Sequence, residues 1–589
     1  MHRVTSPRRL RATWRRRATA VALTAVVVAT TAACHSSSGA SAPAPAKGGT
    51  LYVYMTTHPV ANLDPQGVSW AGDGNVSRLI NRTLTTTLPD GTIVPDLATD
   101  TGRPNADNTV WDFTLKNGLK WQDGRPVTCA DLKYGIERRY LPQIDAYGGL
   151  GYPMSYLVDN KPPYKGPTSK DASLDSIKCL DNNNVEFTLQ NPAGDFGYTV
   201  SVSPFAPVEV SSDTSIAGGR SAYNWNPASN GPYMVDPKNT ADPKPDADGV
   251  EYLPKLTLIR NPYWNRNTDS VRKAYPDKIV FLAGSDNAQL TNDLINSTGQ
   301  YANAISLDQD VASNFVQQVI NDPLLSQRVA QGETTGVRYM AINTLRVTKL
   351  ECRKALEYGF NKHAWQFTMG GSTAGSLATG MIPLKLPAHE DFDLYETKTE
   401  PLGDVDKASK LITSNNCKSQ MKVAMPDVPI YHQLMSTVIE AYQRVGIEIV
   451  PTFIGPASYL KTVSKVASPY DMAVLGWVPD WPNGSAVLPP LFGGDQVGTA
   501  SNLNLSMLKD KDVDNAIAQA MKEPTMQTQY RLWGDLDKQI MSKAAAIPIL
   551  VQGALRMYGN NVRGVVLDQA YSQPDLNEIG LASPTNPAS

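Results

Sequence analysis

The sequence predicts an α/β protein built from several domain-sized units. Three observations carry this. The chain has 589 residues, too many for one core and enough for roughly three to four domain-sized units. Residues 404–475 alternate between strand and helix patterns. The first half contains short runs of period-two alternation.

The elements follow in chain order. Lys47-Gly48-Gly49 leads into Thr50-Leu51-Tyr52-Val53-Tyr54, a short strand. Residues 55–75 read as a loop containing Leu63-Asp64-Pro65. Thr109-Val110-Trp111-Asp112-Phe113-Thr114-Leu115 alternates apolar and polar residues, as a half-buried strand does. Asp123-Gly124 signals a turn, and Thr128 caps a helix with Asp131 in its first turn and Leu132 and Ile136 on one face. Residues 159–172 are polar and Pro-rich, a surface excursion, and Val185-Glu186-Phe187-Thr188-Leu189 is again an alternating strand.

In the second half, Asp404 caps a helix whose apolar face is Val405, Ala408, Leu411 and Ile412. Lys422 to Met425 reads as a strand, and Leu434, Val438, Ala441, Tyr442 and Val445 form a helical stripe. Ile447 to Val450 is a strand, Tyr459 to Val466 a helix, and Asp471 to Leu475 a near-continuous apolar strand. Strand, helix, strand, helix, strand describes an open α/β sheet. Such sheets place ligands beyond the carboxyl ends of their strands. The segment leaving the last strand, Gly476-Trp477-Val478-Pro479-Asp480-Trp481, is therefore the first candidate site.

The N-terminus reads as a targeting segment. Residues 1–33 carry seven arginines and no acidic residue, and Ala18 to Ala33 is an uncharged, mostly apolar run ending in small residues. That pattern is a signal peptide and is set aside from the fold. Cys34 follows Thr31-Ala32-Ala33, which resembles a bacterial lipobox with Thr31 in the place usually held by Leu. Processing there would leave Cys34 as a lipid attachment site. His35 to Gly49 is rich in Ser, Gly, Ala and Pro, the composition of a flexible tether. The expected division is a signal peptide at 1–33 and a lipid-anchored tether at 34–47, placing the body outside the cytoplasm on the membrane face.

Composition excludes some classes. Hydrophobic residues make up 41% and charged residues 19%, as in a soluble globular body. Setting aside the seven N-terminal arginines, 47 of the 54 basic residues remain against 56 acidic ones. An acidic body does not suit nucleic acid, whose phosphates need basic patches. Neither H-E-x-x-H, G-x-S-x-G nor G-x-x-x-x-G-K occurs. The six histidines, at 2, 35, 58, 363, 389 and 432, have no ligand spacing. S-x-x-K occurs four times without K-T-G, so a penicillin-binding reading fails. No catalytic residue, cofactor or metal is expected, and the chain is read as a non-enzyme.

Beyond Cys34, four cysteines remain: Cys129, Cys179, Cys352 and Cys417. None forms C-x-x-C. An even number in an exported chain suggests two disulfides, with three possible connectivities. The sequential one, Cys129–Cys179 and Cys352–Cys417, is favoured because each bridge then stays inside one domain.

Several phrases then occur in a telling order. They are the Leu63-Asp64-Pro65 loop, Asp90-Gly91-Thr92-Ile93-Val94-Pro95-Asp96-Leu97-Ala98, and Phe113-Thr114-Leu115 through Trp121-Gln122-Asp123-Gly124-Arg125-Pro126-Val127-Thr128. Gly231-Pro232-Tyr233, Asn261-Pro262-Tyr263-Trp264, Arg353-Lys354-Ala355-Leu356 and Tyr470-Asp471 through Asp480 follow. From about Gly48 to about Asp568 the chain resembles the extracellular solute-binding proteins of ABC transporters, in the oligopeptide/dipeptide-binding family (family 5). The resemblance implies a two-lobed, periplasmic-binding-protein-like α/β clamp with an extra domain inserted in the first lobe. Carried over, lobe I takes 48–90, 191–285 and 546–589, the inserted domain 91–190, and lobe II 286–545. Cys129 and Cys179 then fall in the inserted domain, and Cys352 and Cys417 in lobe II.

The resemblance also implies a site. In peptide-binding relatives, the aspartate closing a Gly-Trp-x-x-Asp phrase holds the ligand's α-ammonium; here it is Asp480. A cation taken into a closed cleft needs such a fixed carboxylate. Backbone groups of Gly476, Trp477 and Val478 would pair with the ligand as an added strand does. Trp477 either stacks on a ligand side chain or packs in the wall. Ser69, Trp70 and Ala71 match the opposite wall, with Ser69 where relatives can carry an acid, and Val474 stands where some relatives have a basic residue. The implied partners are a peptide or other small solute, the ABC permease subunits, and the membrane through the lipid. A monomer is expected. The alternatives are the same fold with an oligosaccharide, metal chelate or small metabolite, or a surface sensor signalling through a partner.

Overall fold

A computed structural model describes residues 44–55, 60–68, 70–145, 151–157, 164–168, 174–213, 223–239, 242–245, 251–283, 286–499 and 502–584. The expected leader, Cys34 and Ser69 lie outside the described residues.

The first lobe is built on a five-stranded mixed sheet. Strand Thr50–Met55 lies between Lys278–Ala283 and Ala304–Ser306 and runs parallel to both. Lys255–Arg260 and Tyr233–Val235 extend the sheet antiparallel. A strand with parallel neighbours on both sides is covered on both faces. Accordingly, Leu51, Val53 and Met55 are buried on one face with Ile279, Phe281 and Ile305, and Tyr54 is buried on the other with Leu290 and Leu294.

The inserted domain carries a four-stranded antiparallel sheet. Val110–Thr114 pairs with Asn184–Thr188, placing Trp111 opposite Phe187 and Phe113 opposite Val185. Both strands alternate buried and half-buried residues, as their sequence alternation requires. Helix Cys129–Arg138 packs beside them. Its capping box is complete: Asp131 Oδ2 accepts from the Thr128 amide at 2.9 Å and Thr128 Oγ1 accepts from the Asp131 amide at 3.4 Å. The aromatic core of this domain continues past residue 190, through Phe196, Val200 and Phe205.

The second lobe holds a six-stranded sheet. Its order is Gly375–Leu377, Ala546–Met557, Val329–Ile342, Met472–Trp477, Gln420–Pro426, Glu448–Ile454. Helix Pro429–Gln443 makes the crossover between the parallel strands Gln420–Pro426 and Glu448–Ile454, burying Leu434, Val438, Ala441 and Tyr442. Helix Val405–Ser414 starts as its cap predicts, with Asp404 Oδ1 accepting from the Lys407 amide at 2.9 Å.

Two boundaries differ from the sequence division. The sequence division places residues 286–307 in lobe II, whereas Ala304–Ser306 pairs with Tyr52–Tyr54 of the first sheet. Helix Asn287–Asn296 buries Leu290 and Leu294 in a cluster with Tyr54, Leu555 and Met557. The same division places residues 546–557 in lobe I, whereas they form a full strand of the second sheet against Val329–Ile342. The reason is length. Strands of 14 and 12 residues run from one core to the other. Leu555 and Met557 lie at the first-lobe end, and Ala546 to Val551 in the second core. Their pairing breaks between Glu333 and Val337, where the chain passes between lobes. Residues beyond 557 return to the first lobe, where Val562, Leu576, Ile579 and Leu581 join its core.

Cys129 is bonded to Cys179 and Cys352 to Cys417, with Cα–Cα separations of 5.7 and 5.5 Å. The first bond ties helix Cys129–Arg138 to strand Ile177–Cys179.

Candidate functional site

The strand expected to end at Leu475 continues to Trp477. On one side it pairs along its whole length with the long strand of the second sheet, Arg338 opposite Gly476 and Val337 opposite Trp477. On the other side its ladder with Gln420–Pro426 reaches Ala473 and stops. Leu475, Gly476 and Trp477 therefore present a strand edge with no ladder neighbour there among the described residues. Gly476 is exposed, while Trp477, Val478 and Asp480 are half-buried.

Asp480 stands on a short bridge between cores. Immediately before it, the Trp477 ring packs against the second-lobe core and its Nε1 donates to the Ala486 carbonyl at 2.7 Å. Immediately after it, Trp481 is 0% exposed and packs in the inserted-domain core. A single buried carboxylate from the first half of the chain holds this bridge. Asp195 accepts from Ser485 Oγ at 2.6 Å, Asn483 Nδ2 at 3.0 Å, Trp481 Nε1 at 3.3 Å and Tyr156 Oη at 3.2 Å. Nearby, Asn108 Nδ2 donates to the Pro524 carbonyl at 2.9 Å, a second contact between the two halves.

Helix Ala71–Ile80 belongs to the first lobe, where Val76, Leu79 and Ile80 join the core. Trp70 caps it in an extended conformation and is 46% exposed, and Ala71 is half-buried. The preceding Leu63-Asp64-Pro65 loop is pinned by the buried Arg138, whose Nη1 and Nη2 meet the Asp64 carboxylate at 3.0 and 2.9 Å. Tyr571 packs against this helix, and the charge of Asp480 acts on its hydroxyl. A Cβ on Gly74 would approach its ring to 2.7 Å, so glycine is required for that close packing. Burial pushes the Tyr571 hydroxyl up to about 12; Arg78 opposes the rise, and the charges of Asp568 and Asp480 add to it. Arg78 sits 5.0 Å over the ring and bonds Asp568 at 2.6 Å, so Tyr571 is held by a buried ion pair.

The structure places Gly476 at the end of a second-sheet strand, with Val478 and Asp480 just beyond it, and Trp70 and Ala71 at the start of a first-lobe helix. Val474 is 1% exposed in the second core, opposite Met340. Arg338, Tyr571 and Asp195 escaped the sequence reading, since each comes from a distant segment with no local motif. Among the described residues no cluster of three His, Cys, Asp or Glu side chains could hold a metal ion. Among the same residues no helix is long and apolar enough to cross a membrane.

Residues 92–499 match the family model described as "Bacterial extracellular solute-binding proteins, family 5 Middle". The chain belongs to this family. It is 23% identical over 516 residues to the periplasmic murein peptide-binding protein MppA of Escherichia coli, covering 83% of this chain and 85% of that protein. It is 20% identical over 542 residues to the dipeptide-binding protein DppE of Bacillus subtilis, covering 88% and 89%. Among solved structures, the clavulanic acid biosynthesis oligopeptide binding protein 2 superposes with a TM-score of 0.80 at 27% identity, covering 92% of this chain and 97% of that one. The Haemophilus influenzae OppA complex with the peptide RPPGFSPFR has a TM-score of 0.71 at 14% identity, covering 92% and 100%, and shares the fold. The two-lobed α/β clamp is the fold of the family, and the chain shares it.

Proposed function

We propose that this chain binds peptides in the cleft between its lobes and delivers them to an ABC importer, held to the outer face of the membrane by a lipid on Cys34. The observation that carries the reading is the open edge at Leu475 to Trp477, ending on a half-buried carboxylate. An extended peptide can add to that edge through main-chain hydrogen bonds, which ignore side-chain identity. Asp480 then meets its ammonium group. The relatives named for murein peptide and dipeptide binding support the same ligand class. The paired strands Val329–Ile342 and Ala546–Met557, broken between Glu333 and Val337, are the natural place for the lobes to hinge.

The test is calorimetry of the mature protein and Asp480→Asn against a peptide recovered by mass spectrometry from the purified wild type. Asn keeps the shape and removes the charge. Losing one partner of a buried ion pair costs about 3–5 kcal/mol, or roughly a hundredfold or more in affinity. N-acetylation of the peptide should weaken wild-type binding for the converse reason. Equal affinity of both proteins for the free peptide would remove Asp480 from the site. Recovery of a non-peptide solute would replace the ligand class. For the anchor, Cys34→Ser should release the protein from the membrane fraction, and undiminished retention would refute it.

A further inference from the structure

We infer that the amino end of the first-lobe sheet is a docking surface for an anionic lipid membrane, working beside the lipid on Cys34. This deepens the anchoring part of the proposed function and rests on it. The described chain begins at this end of the sheet. Ala46 bridges to Leu581, the Gly48 amide donates to the Tyr275 carbonyl at 2.8 Å, and a Cβ on Gly580 or Gly564 would lie 2.8 or 3.1 Å from the Pro45 ring. Cys34 stands ten positions before Ala44, the first described residue, so an extended chain between them reaches at most about 36 Å. A membrane that holds Cys34 is therefore within reach of this face.

The same end collects cations. Lys278 opens its strand opposite Thr50, and Arg260 closes the antiparallel strand beside it, one residue past Ile259, which pairs with Lys278. Lys47 lies on the emerging chain, and Arg563 pairs opposite Gly580. The connection between strands Lys255–Arg260 and Lys278–Ala283 adds Arg266 and Lys273, whose carbonyl accepts from Arg266 Nη1 at 3.0 Å. Lys47, Arg266 and Lys278 are exposed. The acidic neighbours are Asp277, bonded to Arg260 at 3.0 Å, and Glu578, 3.7 Å from Lys273. Among the described residues, no Asp or Glu oxygen lies within 4.0 Å of Lys47, Arg266, Lys278 or Arg563.

This runs against the rest of the molecule. Beyond the leader, 47 basic residues stand against 56 acidic ones, yet residues 34–47 contain no acid and the face they lead to is cationic. An ordinary solvated surface intersperses both signs. A basic patch beside a lipid anchor adds to membrane binding. Its field reaches only about a Debye length, about 10 Å at 0.1 M salt, so the face binds weakly by itself. The tether offsets this by holding it at high local concentration beside the surface. A pose follows. Met55, Ala283 and Ser306, the carboxyl ends of the parallel strands, lie at the other end of the sheet, beyond which α/β sheets place ligands. A body resting on its basic face turns that end away from the membrane, toward incoming solute.

The test is cosedimentation of the mature Cys34→Ser chain, which carries no lipid, with vesicles of phosphatidylcholine alone or of phosphatidylcholine with phosphatidylglycerol, at low ionic strength. The chain should bind the anionic vesicles only and come off at physiological salt, so its release from the membrane fraction of cells still reads the anchor. Each cation near an anionic surface strengthens binding about fivefold, so adding Lys47→Gln and Lys278→Gln should weaken it roughly twentyfold. Lys47→Arg with Lys278→Arg should bind as before. So should Lys410→Gln with Lys465→Gln, at exposed positions of the second lobe. Absence of binding to the anionic vesicles overturns the assignment, as does equal binding to the neutral ones or equal weakening by the second-lobe pair. These outcomes leave the anchor untouched. Undiminished membrane retention of Cys34→Ser in cells instead removes the anchor, and with it the basis of this inference.

Discussion

Replacing Asp195 by alanine separates a site held rigidly from one merely lined by the right residues. The carboxylate is 1% exposed and receives four donors: Ser485, Asn483, Trp481 and Tyr156. Three of these keep a partner when it is removed. Asn483 Nδ2 also donates to Gln529 Oε1 at 2.8 Å, and Trp481 Nε1 to Ser485 Oγ at 2.9 Å. Tyr156 Oη keeps hydroxyl neighbours in Ser485 and Thr199, so the Ser485 hydroxyl is the donor that loses its acceptor. A stranded buried donor costs about 1–3 kcal/mol, and the variant should lose about that much locally. The loss falls on the bridge carrying Asp480. Hydrogen–deuterium exchange should therefore rise at residues 481–486, and peptide affinity should fall by roughly tenfold or more, since a loosened carboxylate no longer faces the ammonium in one geometry. Asp195→Asn, which keeps one acceptor oxygen, should fall between. Unchanged exchange at 481–486 together with unchanged affinity would mean the bridge is held by Trp481 packing alone, and the reasoning fails.

Further outcomes concern stability. Burial would raise the Asp269 carboxyl, but the Arg272 and Arg82 guanidinia outweigh it, with the Arg272 amide and the Trp264 indole, and hold it well below the usual range. A depressed native pKa gives stability that is present above the unfolded aspartate value, about 3.9, and is lost as pH falls below it. Acid titration followed by fluorescence should report this through Trp264, whose Nε1 donates to Asp269 Oδ2 at 3.1 Å. Asp269→Asn should flatten that acid limb and cost stability at neutral pH by about 3–5 kcal/mol; an unaltered limb would refute the assignment. The Cys129–Cys179 bond closes a separation of 50 residues, worth about 4 kcal/mol on the chain-entropy model. Non-reducing peptide mapping should recover the linked pair, and two free thiols would refute it.

The elements legible in the sequence were those that sign themselves locally. The stripe of Leu434, Val438, Ala441 and Tyr442 marks a helix because one face is buried. Thr128 and Asp404 mark helix starts because a cap's partner lies three residues away. The division at 286 and 546 was illegible for the opposite reason. Strand Ala546–Met557 is buried along nearly all of its length, so it shows no alternation to reveal its sheet. Its partner is more than two hundred residues earlier.

The site divides the same way, and the division says how it works. Asp480 could be reached because it closes a short phrase at a strand's carboxyl end, where an α/β sheet puts ligands. Its surroundings come from elsewhere: Asp195 holds the bridge that carries it, Tyr571 packs on helix Ala71–Ile80, and Arg338 pairs opposite Gly476. Each of these comes from a segment distant in the chain. A cleft between two lobes has to be so built, because its walls belong to separate cores and meet only when folded. The ladder that stops at Ala473 is part of the same logic. Had Gln420–Pro426 continued to pair, the edge would be satisfied by the protein's own strand. The sheet instead leaves Leu475, Gly476 and Trp477 without a ladder neighbour on that side among the described residues, and that edge is where the proposed peptide would add its own strand.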